Sequence, residues 1–201
     1  MCEQVLEIRN KAMTILYALV ARKKSVLAEF TSSSGNFPTV TRVLLSKIPD
    51  SDSKMSYEYD KYRFHYIVDQ GIMFLCMSDE SSKNRAAFSF LEEIKRLFRD
   101  RFGSVEQTAL AFSLNELFSP TLQQRIEFYN TNPSTDNISR VQAQIDTVKD
   151  VMVENIDRVL ERGERIELLV DKTEQLHQQA FKFEKLVSSL DTLLSESYAL
   201  I

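Results

Sequence analysis

Arg162 is the residue of this chain whose position asks for a definite chemistry. It stands in the stretch RVLERGERIELLVDKTEQL, Arg158 to Leu176, in line with Val159, Ile166, Leu169, Thr173 and Leu176 when residues are read in alternate steps of three and four. A guanidinium on an apolar seam has two readings. It snorkels to water at a weak point of a coiled coil, or it is buried in mid-bundle, where partner helices supply side-chain oxygens. In the second case a buried guanidinium without acceptors is so costly that it fixes register and rejects wrong assemblies more than it adds stability. The other candidates offer less. His65 falls in a strand-like run and His177 between seam positions, and neither has a companion at metal-ligand spacing. Cys76, within IMFLCMS, reads as a buried thiol rather than a nucleophile. Gly35, Gly71, Gly103 and Gly163 are isolated, so no glycine-rich phosphate loop is formed. No catalytic residue, metal site or cofactor is expected, and the chain does not read as an enzyme.

The elements that must carry Arg162 begin with the seam itself. From Ile138 the same stepping gives Val141, Ile145, Val148, Met152, Asn155, Val159, Arg162, Ile166, Leu169, Thr173, Leu176, Ala180, Phe183, Val187 and Leu190, of which all but Asn155, Arg162 and Thr173 are apolar. The intervening residues are mostly Glu, Asp, Lys, Arg and Gln, the pattern of a long coiled-coil helix over 138–190. At 1.5 Å per residue it would reach roughly 80 Å. A single apolar stripe does not offset the conformational entropy of ordering such a helix, so it needs partner helices or a borrowed surface. Gly163, beside Arg162, costs about 1 kcal/mol of helix propensity relative to alanine.

The first half reads differently. TILYALV (Thr14 to Val20) and SVLAEFT (Ser25 to Thr31) predict a hairpin turned at Arg22-Lys23-Lys24, and Asn36 to Ile48 has helical spacing and stops before Pro49. KMSYEY (Lys54 to Tyr59), YRFHYIV (Tyr62 to Val68) and GIMFLCMS (Gly71 to Ser78) predict a meander with turns at Asp60-Lys61 and Asp69-Gln70. Helices are expected over Arg85 to Phe102, whose apolar face carries Ala86, Phe90, Leu91, Ile94, Leu97 and Phe98, and over Val105 to Phe118. The fold class is therefore α+β, an antiparallel sheet of five strands with helices on its faces. The polar, turn-rich YNTNPSTDN, Tyr129 to Asn137, reads as a linker.

Composition sets the outer limits. An apolar content of 43% and an aromatic content of 10% belong to a folded chain able to bury one good-sized core. A formal charge of −4 gives no general attraction to nucleic acid or anionic lipid. Cys2 and Cys76 are far apart and unlike in context, which fits a reducing compartment and not a disulfide framework. MCEQVLEIRNK lacks the apolar centre of a signal peptide, and the apolar runs, Ile72 to Met77 among them, are far too short to span a bilayer. No direct membrane insertion and no nucleic-acid partner are expected, and the chain reads as cytosolic or peripheral.

Val141 to Leu176, and VLERGERIELLVDKT within it, resembles the SNARE motif of the synaptobrevin family. MTILYALVAR, SGNFPTVTRVLLSKIP, YRFHYI, AFSFLEEIKRLF and FGSVEQTAL resemble the longin domain of its endosomal and lysosomal branch. The resemblance implies an extension at 1–12, a profilin-like longin domain at 13–128, a linker at 129–137, a SNARE motif at 138–190 and a divergent tail at 191–201. It implies that Arg162 is the ionic layer of a parallel four-helix bundle, facing one glutamine from each of three Q-SNARE helices of syntaxin-like and SNAP-like type. It further implies an R-SNARE of endosomal, lysosomal or exocytic vesicle fusion. Its longin domain would bind its own SNARE motif, sorting adaptors or tethers through a groove involving Leu44, Met55 and Tyr57.

The family follows its SNARE motif with a transmembrane helix, whereas this sequence continues as FEKLVSSLDTLLSESYALI. On that reading the chain is an anchorless modulator or competitor that occupies Q-SNAREs without driving fusion. Nor is there a C-terminal Cys box for prenylation. The rival reading is a longin-type adaptor or tether subunit with a homodimeric coiled-coil tail. Arg162 discriminates, because a symmetric dimer would set two guanidinium groups face to face.

Overall fold

The computed structural model describes residues 14–80, 84–131, 151–160 and 167–169. Apolar runs with no polar alternation, ILYALV and IMFLCM, demand strands buried on both faces, and they occupy the middle of the sheet. Strand β1 (Ile15–Arg22) pairs antiparallel with β2 (Ser25–Thr31) on one side and with β5 (Ile72–Asp79) on the other. Outward from β5 come β4 (Tyr62–Asp69) and β3 (Ser53–Tyr59), again antiparallel. Gln70 and Gly71 turn β4 into β5 with φ of 51° and 77°, the left-handed pair that a tight hairpin needs. The sheet order is β2-β1-β5-β4-β3-β6, and the sixth strand, β6 (Met152–Asn155), comes from the tail.

Successive side chains alternate between two cores. Tyr17, Leu19, Tyr57, Phe64, Tyr66, Leu75 and Met77 lie under α1 (Phe37–Lys47), whose Phe37, Val40, Leu44 and Leu45 are buried there. Ala18, Val20, Ile67, Phe74 and Cys76 face α2 (Asn84–Phe102) and α3 (Asn115–Thr131). In α2, Ala87, Leu91, Ile94, Phe98 and Phe102 fall at steps of three or four and form its buried stripe. Phe98 meets Phe74 edge-on at 5.9 Å and Phe118 at 5.1 Å, which ties both helices to the sheet.

Three expectations change. The helix expected over Val105 to Phe118 is a run of turns up to Leu114, with helix only from Asn115. Phe112 has left-handed φ (58°), and its N–H donates to Val26 O at 2.8 Å, while Asn115 Oδ1 accepts from Glu29 N at 2.9 Å. Segment 103–114 thus covers the outer edge of β2, which an α-helix would leave open. The helix goes on to Thr131 because Phe118, Leu122 and Ile126 recur at steps of four and are buried, so the expected linker overlaps its last turn.

The third change concerns the tail. Residues of the expected continuous helix, Met152–Asn155, are extended in this state, and Ile156–Arg158 form a single 3₁₀ turn. The outer edge of β3 offers unpaired N–H and C=O groups, and a lone amphipathic helix has nothing to bury its stripe against. The five expected strands are all present, and the added sixth runs parallel to β3.

Candidate functional site

The site is the strip along β3 and across the N-terminal end of α1, where tail and domain meet. Strand β6 pairs with β3 in the register Met55↔Met152, Ser56↔Val153, Tyr57↔Glu154 and Glu58↔Asn155. Beyond it, Asn155 Oδ1 accepts from Asp157 N at 2.8 Å and starts the 3₁₀ turn that drives Ile156 into the α1-side core. Ile156 is fully buried, Leu168 is 9% exposed, and Val159 and Leu160 are partly covered by the same cluster. That cluster includes Leu44, Met55 and Tyr57. The three groove residues that the family resemblance implies thus belong to one cluster, which also takes in residues of the chain's own tail.

A second contact closes the strip. Asn36, just before α1, binds 167–169 with backbone and side chain together. Its N–H donates to Leu169 O at 3.2 Å, its Nδ2 to Glu167 O at 2.7 Å, and its Oδ1 accepts from Leu169 N at 2.8 Å. Gly35 allows this approach, since a Cβ there would lie 2.3 Å from Leu169 O and 2.5 Å from the Phe37 ring. Asn36 reads backbone rather than side chain, and the Leu169 N–H and C=O that it occupies are groups a helix would need for its own ladder.

Electrostatics at the strip are mild. Burial, then its hydrogen bond with Tyr66, and then the nearby Glu154 push the Tyr57 hydroxyl well above the usual tyrosine range. The two rings lie 5.8 Å apart. Tyr57 is thus neutral and acts as packing surface. Glu154 reaches Arg158 at 3.6 Å, a long pair with an exposed arginine and of little energetic weight.

Among the described seam residues, only Val159 is partly covered by the domain. Met152 is 54% exposed and Leu169 57%, and Asn155 is exposed, whereas Ile156 and Leu168 stand off the seam. Sequence reasoning missed Ile156, Leu168, Asn36 and Gly35. The available signal was that Ile156, Leu160 and Leu168 are apolar yet fit no position of the stripe. Arg162 and the other seam positions, Ile138, Val141, Ile145, Val148, Ile166, Thr173, Leu176, Ala180, Phe183, Val187 and Leu190, lie outside the described residues, as do His177 and Cys2.

The remaining chemistry-bearing residues are core. His65 is fully buried, its Nδ1 2.7 Å from Ser56 Oγ and its Nε2 3.1 Å from Ser78 Oγ, edge-on to Phe88. Burial, with Arg63 adding to it, pushes its pKa down to about 3, so the ring is neutral. Burial pushes the Cys76 thiol well up. Among the described residues no three His, Cys, Asp or Glu side chains converge as metal ligands.

Residues 27–122 match the Longin family model, described as a regulated-SNARE-like domain, and residues 137–192 match the Synaptobrevin model. Vesicle-associated membrane protein 7B of Dictyostelium discoideum is 48% identical over 174 residues, covering 86% of this chain and 67% of that protein. Vesicle-associated membrane protein 711 of Arabidopsis thaliana is 47% identical over 174 residues, 86% of this chain and 80% of its own length. Vesicle-associated membrane protein 7 of Mus musculus is 43% identical over 172 residues, 86% and 78% respectively.

Proposed function

Because this chain belongs to the longin-bearing synaptobrevin family and is an R-SNARE of vesicle-mediated transport, we propose that its longin domain holds the SNARE motif in a strand-like state incompatible with bundle assembly. The family is one of trafficking proteins and not of enzymes. The observation that carries the reading is β6: Met152–Asn155 lie extended on β3 with Ile156 buried in the cluster to which Leu44, Met55 and Tyr57 belong. Val159 and Met152 are seam positions that a four-helix bundle needs in helical backbone, and one stretch of chain cannot be strand and helix together. Regulation works by backbone conformation, since the clasp buries Ile156 and Leu168 and leaves Met152 and Leu169 in water.

When three Q-SNARE helices compete, the tail leaves β3 and zips into a parallel four-helix bundle over 138–190. Arg162 then sits in the central layer. Its planar guanidinium donates to three glutamine carbonyl oxygens, which satisfies a buried charge that no apolar layer could. Syntaxin-like and SNAP-like helices are the partners, and the cytoplasmic face of endosomal, lysosomal or secretory vesicles is the place of action. The groove vacated by Ile156 and Leu168 is then free for a sorting adaptor or tether.

The test is assembly. The purified chain is mixed with soluble three-Q SNARE helices, and helicity and thermal unfolding are followed for the native sequence, Arg162→Ala and Arg162→Gln. A stoichiometric, heat-resistant complex weakened by either substitution supports the reading. A strong, salt-stable homodimer of the tail with no affinity for Q helices would sink it.

A further inference from the structure

The net charge of −4 hides a face of the opposite sign. Segment 103–114 carries Val105, Leu110 and Phe112, exposed to 41, 76 and 45%, and Leu117 of α3 adds 50% beside them. Gln107, Thr108, Ala111 and Ser113 around Leu110 are exposed as well, so the loop is open to solvent and Leu110, its most exposed apolar residue, is taken as its tip. Its backbone is fixed. Phe112 N donates to Val26 O at 2.8 Å and Ser113 N to Leu110 O at 3.1 Å. Phe112 keeps the left-handed φ of 58° that a bulky residue seldom adopts, and the Arg42 guanidinium lies 5.5 Å from its ring centroid.

Cations surround this loop. The β1–β2 hairpin presents Arg22, Lys23 and Lys24 a few residues from Val26, α2 ends in Arg101, and α1 contributes Arg42. Most of them are not neutralised. Arg22 Nη1 donates to Glu106 O at 3.3 Å, and Arg101 Nη1 to Leu117 O at 2.9 Å while its guanidinium lies over the Phe102 ring. These acceptors are carbonyls, which leave the charge in place. Lys23 and Lys24 are exposed and have no carboxylate partner among the described residues, and Arg42 alone of the five has one, Glu29. Of the acids on the same loop and the start of α3, Glu106 is 6% exposed and Glu116 faces solvent. The outer face of α2 is built the other way: Lys54 pairs with Glu92, Lys95 and Arg99 with Asp69, and Arg125 with Glu93.

We propose that this face docks on an anionic membrane surface, with Leu110, Phe112 and Val105 entering the headgroup boundary and Arg22, Lys23, Lys24 and Arg101 over lipid phosphates and carboxylates. A lipid surface is favoured over a protein partner because the exposed apolar residues are accompanied by cations left without carboxylate partners, the combination an anionic headgroup layer takes up. The one strand edge nearby, that of β2, is already used by Phe112 and Asn115. The inference concerns a surface away from β3 and does not depend on the clasp.

The chain contains no tryptophan, so Leu110→Trp installs a lone reporter at the tip. The full chain with this change is titrated with vesicles of phosphatidylcholine alone and of phosphatidylcholine with phosphatidylserine, at low and high salt. The expected result is a blue shift and co-flotation only with phosphatidylserine, reversed by salt. Lys23→Ala/Lys24→Ala should weaken it roughly 30-fold, about fivefold for each cation near the surface, with thermal unfolding unchanged. Emission already blue without vesicles would mean that protein covers the tip, and a shift with polyglutamate but not with phosphatidylserine would reassign the face to an acidic protein. Either result overturns the proposal, as does binding indifferent to lipid charge or to the two lysines.

Discussion

Ile156→Ala separates the clasp from the bundle. Ile156 is fully buried in the α1-side core but belongs to the tail, so its truncation acts on docking while the β1–β5 sheet and its helices keep every contact of their own. Deleting most of a buried isoleucine side chain costs about 2–5 kcal/mol in a well-packed core. A docked segment relaxes more easily than a domain interior, which favours the lower half of that range. At about 2–3 kcal/mol, the ratio of clasped to free tail falls roughly 30- to 150-fold. Ile156 lies off the seam, so the four-helix bundle should form with nearly native stability. The assay is stopped-flow association with preassembled Q-SNARE helices, paired with thermal unfolding of the finished complex. If clasping gates assembly, the association rate rises by up to the same factor while the complex melts where the native one does. An unchanged rate, with Ile156→Ala shown by hydrogen exchange to have freed β6, would refute the reasoning.

Other outcomes follow from the same geometry. Asn36→Ala removes the Nδ2 bond to Glu167 O and the Oδ1 bond from Leu169 N; at about 0.5–1.5 kcal/mol for each, exchange of 167–169 should quicken roughly 5- to 150-fold while β1–β5 amides stay protected. His65 is held neutral, with a pKa of about 3 against an ordinary value of 6.5. The unfolded chain therefore takes up a proton that the folded one refuses, and stability, full above pH 6.5, falls progressively toward pH 3. Between pH 6.5 and 5 the loss from this group is about 2 kcal/mol, read as a drop in urea midpoint that is absent in His65→Gln. Arg162→Gln should lower the thermal stability of the Q-SNARE complex and leave the melting of the isolated chain unaltered.

The five antiparallel strands, α1 and α2 were legible in the sequence because each carries one dominant signal. β1 and β5 are apolar runs too short for buried helices, and α2 holds Leu91, Ile94 and Phe98 at helical steps. The start of α3 was misplaced because exposed Val105, Leu110 and Phe112 imitate a buried stripe, while Pro120 masks the helix that bears Phe118, Leu122 and Ile126. Groove residues Leu44, Met55 and Tyr57 came from family resemblance, and periodicity alone would have left them as core. The partner they hold was harder to read. The tail carries two overlapping codes, a three-and-four stripe for a bundle and a sparser set, Ile156, Leu160 and Leu168, that meets the domain. The stronger periodicity hid the weaker one, and a strand formed by edge pairing depends on a distant sequence that no local window contains.

The most direct test of the claim that clasp and bundle exclude one another is hydrogen exchange of β3, Ser53–Tyr59, in the full chain before and after saturation with three Q-SNARE helices. Outer-edge amides of β3, protected with β6 in place, should exchange rapidly in the complex while those of β4 and β5 do not change. A complex with all its helices assembled and β3 still protected would contradict it.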